Sequence, residues 1–589
     1  MELVNIVIFL SICIFLSVLL QGGFYPQAYL LLGICFFIAS LFKLKRRPSK
    51  YEIILFGAAC IFYIISSLSN YFSIETLTYA MLPVVCFVFW MLQANITMEQ
   101  KQKTAEAVII FTVIIAAAAL LSLAGILPVS GGVSANRLQF TFQYANAAGI
   151  YFAAAALMAQ GIENKKLRQF ILLMETALFL TQSIGAVASY FAGLVLAIFI
   201  ASKKGRIRAA EDNLCRTGIS AGFAMAFYFT VFKLQNTALS VLITGLIILF
   251  CLYFNKIKDV FLKYKINFIF AIGFIAIAVY LVFSQRIYQG SQTLLERFIQ
   301  IYDGVAALMA HPVLGVGPGN WQYLLEPWKT AQYNAQVIHS SFIQIAVNAG
   351  LPALLVLAAL VVYKLKNIKT NGYLRAAAII ILLHSLLDIS LEFLSIDLLL
   401  IFILNYGNEN VQNIRFFKST RLAAGIALAV LCLCFYGGMV TSKAQRDYLS
   451  GRADLAVHVL ETNEPLFTGS YGFMYDYSTY LLQNGQFDKA LSVANSLPYK
   501  SAKGQQLIAR YFEERGEVAK ALGIVFASLE EAMYDMQAYA YARQLIEKLP
   551  QTECKEYELM YNQYAQKLNN SSTYLSKGLK NQIKLQLYQ

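Results

Sequence analysis

Apolar runs long enough to cross a membrane alternate with short polar loops along most of this chain. The runs lie at residues 3–20, 28–42, 53–69, 77–92, 105–126, 145–159, 170–181, 186–200, 218–232, 238–253, 266–283, 340–363, 376–387, 391–404 and 422–440. Because a membrane-spanning helix needs roughly 20 apolar residues, we predict an all-α polytopic membrane protein with about 14–15 transmembrane helices. The runs joined at 182–185 and those around Asp388 and Glu392 are short enough for re-entrant or broken helices.

Composition and charge support this class and predict an orientation. The sequence is 58% hydrophobic and 14% charged, with a mean hydropathy of +0.57, far from a soluble average. Up to residue 441, 26 basic residues fall in alternate loops and five on the other side: Arg137, Lys233, Arg286, Arg297 and Lys329. Since short basic loops stay cytoplasmic, we predict a cytoplasmic amino terminus, with the long loop and the carboxy-terminal tail external. The net charge of +14 is then explained by the basic cytoplasmic loops of the membrane domain. We therefore predict no nucleic-acid binding.

A long polar loop, residues 285–338, interrupts the predicted membrane domain, residues 1–441. It contains HPVLGVGPGN at 311–320 and ends just before His339. Its glycines do not form a nucleotide loop, because no strand precedes them and no Gly-Lys-Ser follows. They favour a turn that brings the chain back toward the membrane.

Two arginines on the predicted outer face are candidate phosphate ligands. Arg137 lies just before the run that begins near residue 145, with Asn146 at its mouth, and a guanidinium can hold a phosphate through two hydrogen bonds. The alternative is an arginine that faces lipid headgroups. Arg297 lies in a segment whose apolar residues recur at helical spacing, which predicts an amphipathic helix at the outer interface. Its alternative is the solvated face of that helix.

Two histidines belong to the same candidate region. His339 begins a predicted span, with Ser340 and Ser341 placed as N-caps, and a helix start supplies amide donors and a partial positive charge that suit an anion. His384 and Asp388 are four residues apart, so we predict that they share one helix face. Ionisable residues within a membrane are costly and usually serve a function. A structural role remains the alternative for both pairs.

The cysteines do not predict a metal site. Most lie in apolar runs, and Cys432 and Cys434 have no histidine or carboxylate nearby to complete a tetrahedral set. We interpret them as packing residues.

The tail, residues 442–589, follows a different pattern. NGQFDKAL at 484–491 recurs as RGEVAKAL at 515–522, an offset of 31 residues that is near the period of a tetratricopeptide helix pair. We predict a helical-repeat domain over about residues 451–568, whose concave surface would bind an extended partner. The alternative is a helical bundle that packs on the membrane domain.

Several motifs occur together in this chain: Arg137-x-x-Phe140 with YAN at 144–146, Arg297, HPxxGxGPGN at 311–320, HSSFxQ at 339–344 and Gly350-Leu351. Their combination resembles the O-antigen ligase and polymerase family of bacterial envelope enzymes. The resemblance covers about residues 136–391, and 297–352 is its signature.

This resemblance implies a fold similar to the C-type glycosyltransferases, a bacterial plasma membrane location and an activity that needs no metal or cofactor. It further implies transfer of a glycan from undecaprenyl diphosphate, at the outer membrane face, to a glycan, cell-wall or protein acceptor. Arg137 and Arg297 match the diphosphate-binding positions, with Asn146 beside them, and His339 matches the base. Ser340, His384 and Asp388 would support the site.

One position departs from the family pattern. Many relatives have Ser-Arg-Gly where this chain has Ser183-Ile184-Gly185, so an expected arginine is missing and Arg286 is the candidate to replace it. Within the family, the external tail favours a ligase or a protein oligosaccharyltransferase over a polymerase of repeat units. A transporter of lipid-linked glycan is less favoured, because the spans show no internal repeat and transport would not need His339.

Overall fold

The structure is a computed structural model, and it describes residues 2–200, 206–263, 273, 293–333, 335–367, 372–407, 412–413 and 418–571. The first helices are α1 (Glu2–Leu19), α2 (Pro26–Lys43), α3 (Lys50–Ser69), α4 (Ile74–Gln93), α5 (Met98–Leu123), α6 (Ala145–Gly161), α7 (Lys165–Arg168), α8 (Ile171–Leu180), α9 (Ile184–Ile200), α10 (Arg206–Phe232) and α11 (Thr237–Lys263). They are followed by α12 (293–310) and by α13 (Trp321–Leu324), α14 (Ser341–Asn367), α15 (Gly372–His384), α16 (Leu394–Asn405) and α17 (Lys418–Leu449). The tail contains α18 (Ala453–Asn463), α19 (Tyr471–Gln483), α20 (Phe487–Asn495), α21 (Ala502–Glu514), α22 (Val518–Glu531), α23 (Met536–Ile546) and α24 (Gln551–Ser571).

Among the described residues there are four strands of two residues each, which form two antiparallel pairs. They are β1 (Arg46–Arg47), β2 (Val133–Ser134), β3 (Arg137–Leu138) and β4 (Gln412–Asn413), with β1 antiparallel to β4 and β2 antiparallel to β3. The prediction of an all-α chain is therefore confirmed.

The predicted spans correspond to helices. Every run predicted within the described ranges coincides with one of the helices above, whereas the run at 266–283 lies outside them apart from residue 273. Among the described residues, eight helices are long and apolar enough to cross a membrane by length and composition: α2, α3, α4, α5, α10, α11, α14 and α17. Shorter apolar helices, among them α9, α15 and α16, accompany them. The chain is a polytopic membrane protein, as predicted.

Helix α6 lies at the centre of the membrane domain. Every residue of it except Gln160 is buried, and it packs against α5, α8, α9 and α15. Small side chains permit this close packing. A Cβ added at Gly149 would lie 2.9 Å from the Ala186 Cβ and from the Thr181 hydroxyl, so larger residues would force the helices apart. The short helices α8, α9 and α15 are therefore fixed around one buried helix.

The predicted cytoplasmic loops lie at one end of this bundle. β1, from the loop after α2, pairs with β4, from the loop before α17. Near them, the Lys364 ammonium lies 3.3 Å from the Glu52 carboxylate and donates to the Asn405 amide oxygen at 2.7 Å, while Lys101 donates to the Asn405 carbonyl at 2.7 Å. Loops that the charge pattern assigned to one side are thus neighbours in space.

The glycines of the 311–320 segment bring that segment against α3 and α14. Gly315, Gly317 and Gly319 all have positive φ angles, as does Gly350 inside α14. The Val316 amide donates to the Val347 carbonyl at 2.8 Å, and a Cβ at Gly315 would overlap that carbonyl. Only glycine allows both the left-handed backbone and this approach. The segment thus packs against the kink of α14 at Gly350, in the half of that helix nearer to His339.

The tail packs on the same end of the bundle as the polar loop. Helix α17 is continuous through the predicted domain boundary at residue 441. The Glu75 carboxylate of α4 accepts from the Tyr323 hydroxyl at 2.6 Å, the Gly472 amide at 3.0 Å and the Ser470 hydroxyl at 3.2 Å. Ala331 of the loop belongs to the apolar core of the tail helices. Loop and tail are therefore one packed unit.

The tail helices form antiparallel pairs at the predicted period. Helices α19 and α20 join at Gly485 (φ +72°), and α21 and α22 join at Gly516 (φ +77°). These are the glycines of the repeated sequence, and the left-handed conformation explains why glycine stands at both turns. Helices α21 and α23 then pack against α22. The assignment of these helices to tetratricopeptide-like repeats, and their binding of an extended partner, remain predictions.

Candidate functional site

A network of polar side chains joins four segments of the chain: residues 137–146, residues 297–300 of α12, residues 339–341, and residues 387–391. Its centre is Asp388, which is 1% exposed. One carboxylate oxygen of Asp388 lies 3.0 Å from the Arg297 guanidinium and accepts from the Asn146 amide at 2.8 Å and the Tyr144 hydroxyl at 3.2 Å. The other accepts from the Ile389 amide at 2.9 Å. Residues more than 240 positions apart thus meet at one carboxylate.

Arg137 reaches this network from a hairpin at the mouth of α6. Ala135 and Asn136 both have positive φ angles, as the two central residues of a tight hairpin turn require, and the turn places Arg137 on β3. Its guanidinium donates to the Asn146 side-chain oxygen at 2.8 Å and to the Thr181 carbonyl at 2.9 Å. Arg137 is therefore held between α6 and the break that separates α8 from α9.

Arg297 projects from α12 onto the segment that connects α15 to α16. Besides its ion pair with Asp388, it donates to the Leu387 carbonyl at 2.6 Å. Its side chain keeps 21% of its surface exposed, whereas Arg137 is 9% exposed. The Arg297 guanidinium is thus the more open of the two cations. Arg137, Arg297 and Asp388 together carry one net positive charge.

His339 lies on the loop immediately before α14 and contacts α12. Its Nδ1 lies 2.7 Å from the Gln300 side-chain oxygen, which also accepts from the His339 backbone amide at 3.1 Å. Burial lowers the pKa of the imidazole below its ordinary value of 6.5; the nearby Asp388 acts in the opposite direction and Arg297 lowers it further. The imidazole therefore favours its neutral form, which can accept a proton.

The prediction that His384 and Asp388 share a helix face is wrong. Helix α15 ends at His384, and residues 385–389 form a turn. The His384 Nδ1 lies 2.7 Å from the Ser390 hydroxyl, and a Cβ added at Gly185 would lie 3.3 Å from His384 Nε2. Because the helix has ended, the Leu387 carbonyl has no partner within it and is free to accept from Arg297.

The two serines after His339 differ in their contacts. Ser340 is buried, and its carbonyl accepts from the Gln344 amide at 2.9 Å, as a residue preceding the first helical turn does. The Ser341 hydroxyl donates to the Asp388 carbonyl at 2.9 Å and accepts from the Leu391 amide at 3.1 Å. Instead of capping its own helix, Ser341 ties the start of α14 to the segment that carries Asp388.

The structure does not test the prediction that Arg286 replaces the arginine missing at Ile184. Arg286 lies outside the described residues. Ile184, the position at which the family resemblance predicts an arginine, begins α9 and is 42% exposed. The sequence interpretation also missed Gln300, although a signal was present, because Gln300 follows Arg297 by three residues and so lies near the same face of α12.

An apolar cavity of about 530 Å³ adjoins the network. It lies between α2, α3, α4, α14 and α16, and aromatic residues such as Tyr63, Trp90, Trp321 and Phe342 line it. Leu391 and Glu392, in the segment after Asp388, are among the residues that line the cavity.

Residues 221–358 match the family model described as O-antigen ligase. The matched region includes Arg297, Gln300, His339 and α14 up to residue 358, and it overlaps the signature region 297–352. No curated protein matches the chain. The family resemblance inferred from the motifs is confirmed by this match, and the family is one of enzymes that transfer glycans.

Proposed function

We propose that this chain, a member of the O-antigen ligase family by its region 221–358, transfers a glycan from undecaprenyl diphosphate to an acceptor hydroxyl at the outer face of the membrane. The observation that supports this proposal is one polar network, in which Asn146 and Arg297 bind Asp388, Arg137 binds Asn146, and His339 contacts Gln300 one turn after Arg297. Such a transfer requires cationic groups for the diphosphate and a base for the acceptor hydroxyl. This network contains two guanidinium groups and a neutral imidazole.

In this reaction the acceptor hydroxyl oxygen forms a bond to the anomeric carbon of the donor glycan. The bond between that carbon and the diphosphate oxygen breaks, and its electron pair stays on the diphosphate. The hydroxyl proton passes to His339, whose low pKa keeps it ready to accept, and then leaves to solvent or to the departing diphosphate. The products are the glycosylated acceptor and undecaprenyl diphosphate.

The arginines would stabilise the charge that develops on the departing diphosphate. Arg297 keeps exposed surface and forms an ion pair with the Asp388 carboxylate, while Arg137 is fixed by Thr181 and Asn146. Donors that are positioned before the reaction cost no reorganisation in the transition state. We therefore expect the Arg297 side chain to contact the diphosphate directly. Arg137, which is more buried, would contribute its charge without that contact.

The docked tail favours a bulky acceptor. It packs on the polar loop through Glu75, Tyr323 and Ala331, so it lies beside the loop that leads to His339. We therefore favour a ligase or a protein oligosaccharyltransferase over a polymerase of repeat units, with the tail helices from α19 onward, which dock on this side, as part of the acceptor site.

The test is an assay of purified protein with undecaprenyl-diphosphate-linked glycan and candidate acceptors. We expect wild-type protein to move the glycan to one acceptor, and His339→Ala to reduce the rate by about 10²–10⁴-fold. His458→Ala, at an exposed position of α18, is the matched control and should be fully active. Lengthened glycan on the lipid would indicate a polymerase, and full activity of His339→Ala would contradict the proposed mechanism.

A further inference from the structure

Gln300 makes two contacts to His339 through a single atom. It is 1% exposed and lies on α12, one turn after Arg297. Its side-chain oxygen lies 3.1 Å from the backbone nitrogen of His339 and 2.7 Å from the imidazole Nδ1. The proposed transfer needs only that His339 be neutral and does not by itself say which ring nitrogen carries the hydrogen.

The backbone contact fixes which end of the Gln300 amide faces His339. A backbone N–H can only donate, so the atom that it meets must be the amide oxygen and not the amide nitrogen. That oxygen can only accept. At 2.7 Å, a deprotonated Nδ1 would place two lone pairs against each other, so Nδ1 must carry a hydrogen and donate it.

This arrangement leaves the lone pair of the neutral imidazole on Nε2. The charged groups that act on the ring are Arg297 of α12 and Asp388 of the segment after α15. Their effects oppose one another, and an amide partner adds no charge of its own. A carboxylate in the position of Gln300 would instead stabilise the imidazolium and raise the pKa of His339.

We propose that Gln300 is a positioning residue that holds His339 as the Nδ1–H tautomer and directs Nε2 to the acceptor hydroxyl. The catalytic consequence rests on the proposed function of His339 as the base, whereas the tautomer is a property of the resting protein and can be measured without substrate. Through one neutral oxygen, Gln300 thus determines which ring nitrogen of His339 carries the lone pair, and it does so without adding a charge that would raise the pKa of the imidazole.

The test is ¹⁵N nuclear magnetic resonance of protein labelled at histidine, reconstituted in nanodiscs. The chain has four histidines, so comparison with His339→Ala identifies the His339 signals. We expect Nδ1 to be protonated and Nε2 to be unprotonated in wild type at pH 8. Gln300→Ala should shift the signals toward a mixture of tautomers, and Gln300→Glu should raise the pKa of His339 by about one unit or more. Gln332→Ala, in the same loop, is the matched control.

Activity gives the second measurement. Gln300→Ala should lower kcat about 10- to 100-fold with little change in KM for the lipid-linked donor, because the base is misdirected while donor contacts remain. Gln300→Glu should move the acid limb of the pH profile upward, in step with the resonance titration. A wild-type Nε2–H tautomer, or signals unchanged in Gln300→Ala and Gln300→Glu, would overturn the proposal. If Gln300→Ala and Gln300→Glu show the expected resonance shifts but His339→Ala is fully active, only the proposed function is refuted.

Discussion

Replacing Asp388 by asparagine should destabilise the protein and at the same time strengthen its binding of diphosphate. The carboxylate accepts from Arg297, Asn146 and Tyr144 through one oxygen. Asparagine keeps the shape but removes the charge that compensates Arg297. The two effects have opposite signs, which makes the substitution informative about the function of the network.

The size of each effect follows from the geometry. Breaking a fully buried ion pair costs about 3–5 kcal/mol, and because 21% of the Arg297 side chain is exposed, we expect about 2–3 kcal/mol of lost stability. For the ligand, the net charge of Arg137, Arg297 and residue 388 rises from one to two. At an effective dielectric constant near 20, a unit charge about 5 Å away contributes roughly 3 kcal/mol, and solvent reduces this, so diphosphate should bind about 5- to 50-fold more tightly.

The assay compares wild type, Asp388→Asn and Asp397→Asn in the same detergent. Asp397 is also an acidic residue of the membrane domain, but it faces the apolar cavity and Cys86. Isothermal titration with an isoprenoid diphosphate gives the affinity, and denaturant unfolding gives the stability. The prediction assumes that Arg297 binds diphosphate and that the Asp388 carboxylate weakens this binding. Unchanged or weaker binding by Asp388→Asn, with Asp397→Asn behaving as wild type, would refute it.

Four further predictions concern other parts of the molecule. Because the pKa of His339 is lowered below 6.5 in the unliganded protein, the neutral base persists to lower pH, and the acid limb of kcat/KM should fall below pH 6.5; a limb above pH 7 would contradict this. Gly472→Ala should loosen the tail, since its Cβ would overlap the Tyr323 hydroxyl, and should increase proteolysis near residue 468, whereas Gly523→Ala, which meets open space, should not. Tryptophan in place of Tyr302, which is 65% exposed on the apolar face of α12, should be quenched by brominated lipids if this helix lies at the membrane interface, and a tryptophan at His458 should not. Single cysteines at Gln332 and Asn484 in a cysteine-free background should react with an impermeant maleimide from outside the cell, while one at Lys203 should not; the reverse pattern would place the proposed site in the cytoplasm.

The sequence predicts the helices well because a single physical constraint controls them. A segment in hydrocarbon must satisfy its own backbone hydrogen bonds, so long apolar runs such as those of α4, α5 and α14 become helices whatever surrounds them. The short runs were predicted less completely. Helix α6 is almost entirely buried, and no feature of its alanine-rich sequence distinguishes a central helix from one that faces lipid.

The candidate site was only partly predictable for a reason that the 384–390 segment illustrates. The motifs identified Arg137, Arg297 and His339, but the spacing of His384 and Asp388 suggested a continuous helix face. In the structure the helix ends at His384, and groups of the segment that follows it bond to partners distant in sequence. Those partners, Ser341 and Arg297 among them, cannot be identified from local periodicity.

The break after α15 also explains how an ionised network can persist inside an apolar bundle. Ending the helix releases the Leu387 and Asp388 carbonyls, and both then accept hydrogen bonds from side chains of the site. Buried polar groups that are fully hydrogen-bonded hold a specific arrangement, so Arg297 is oriented before any ligand arrives. The same contacts neutralise much of its charge, and an incoming diphosphate must compete with Asp388 for the guanidinium. Binding of the donor should therefore release a carboxylate that already acts electrostatically on His339, and it would stabilise the imidazolium that forms as the acceptor hydroxyl loses its proton.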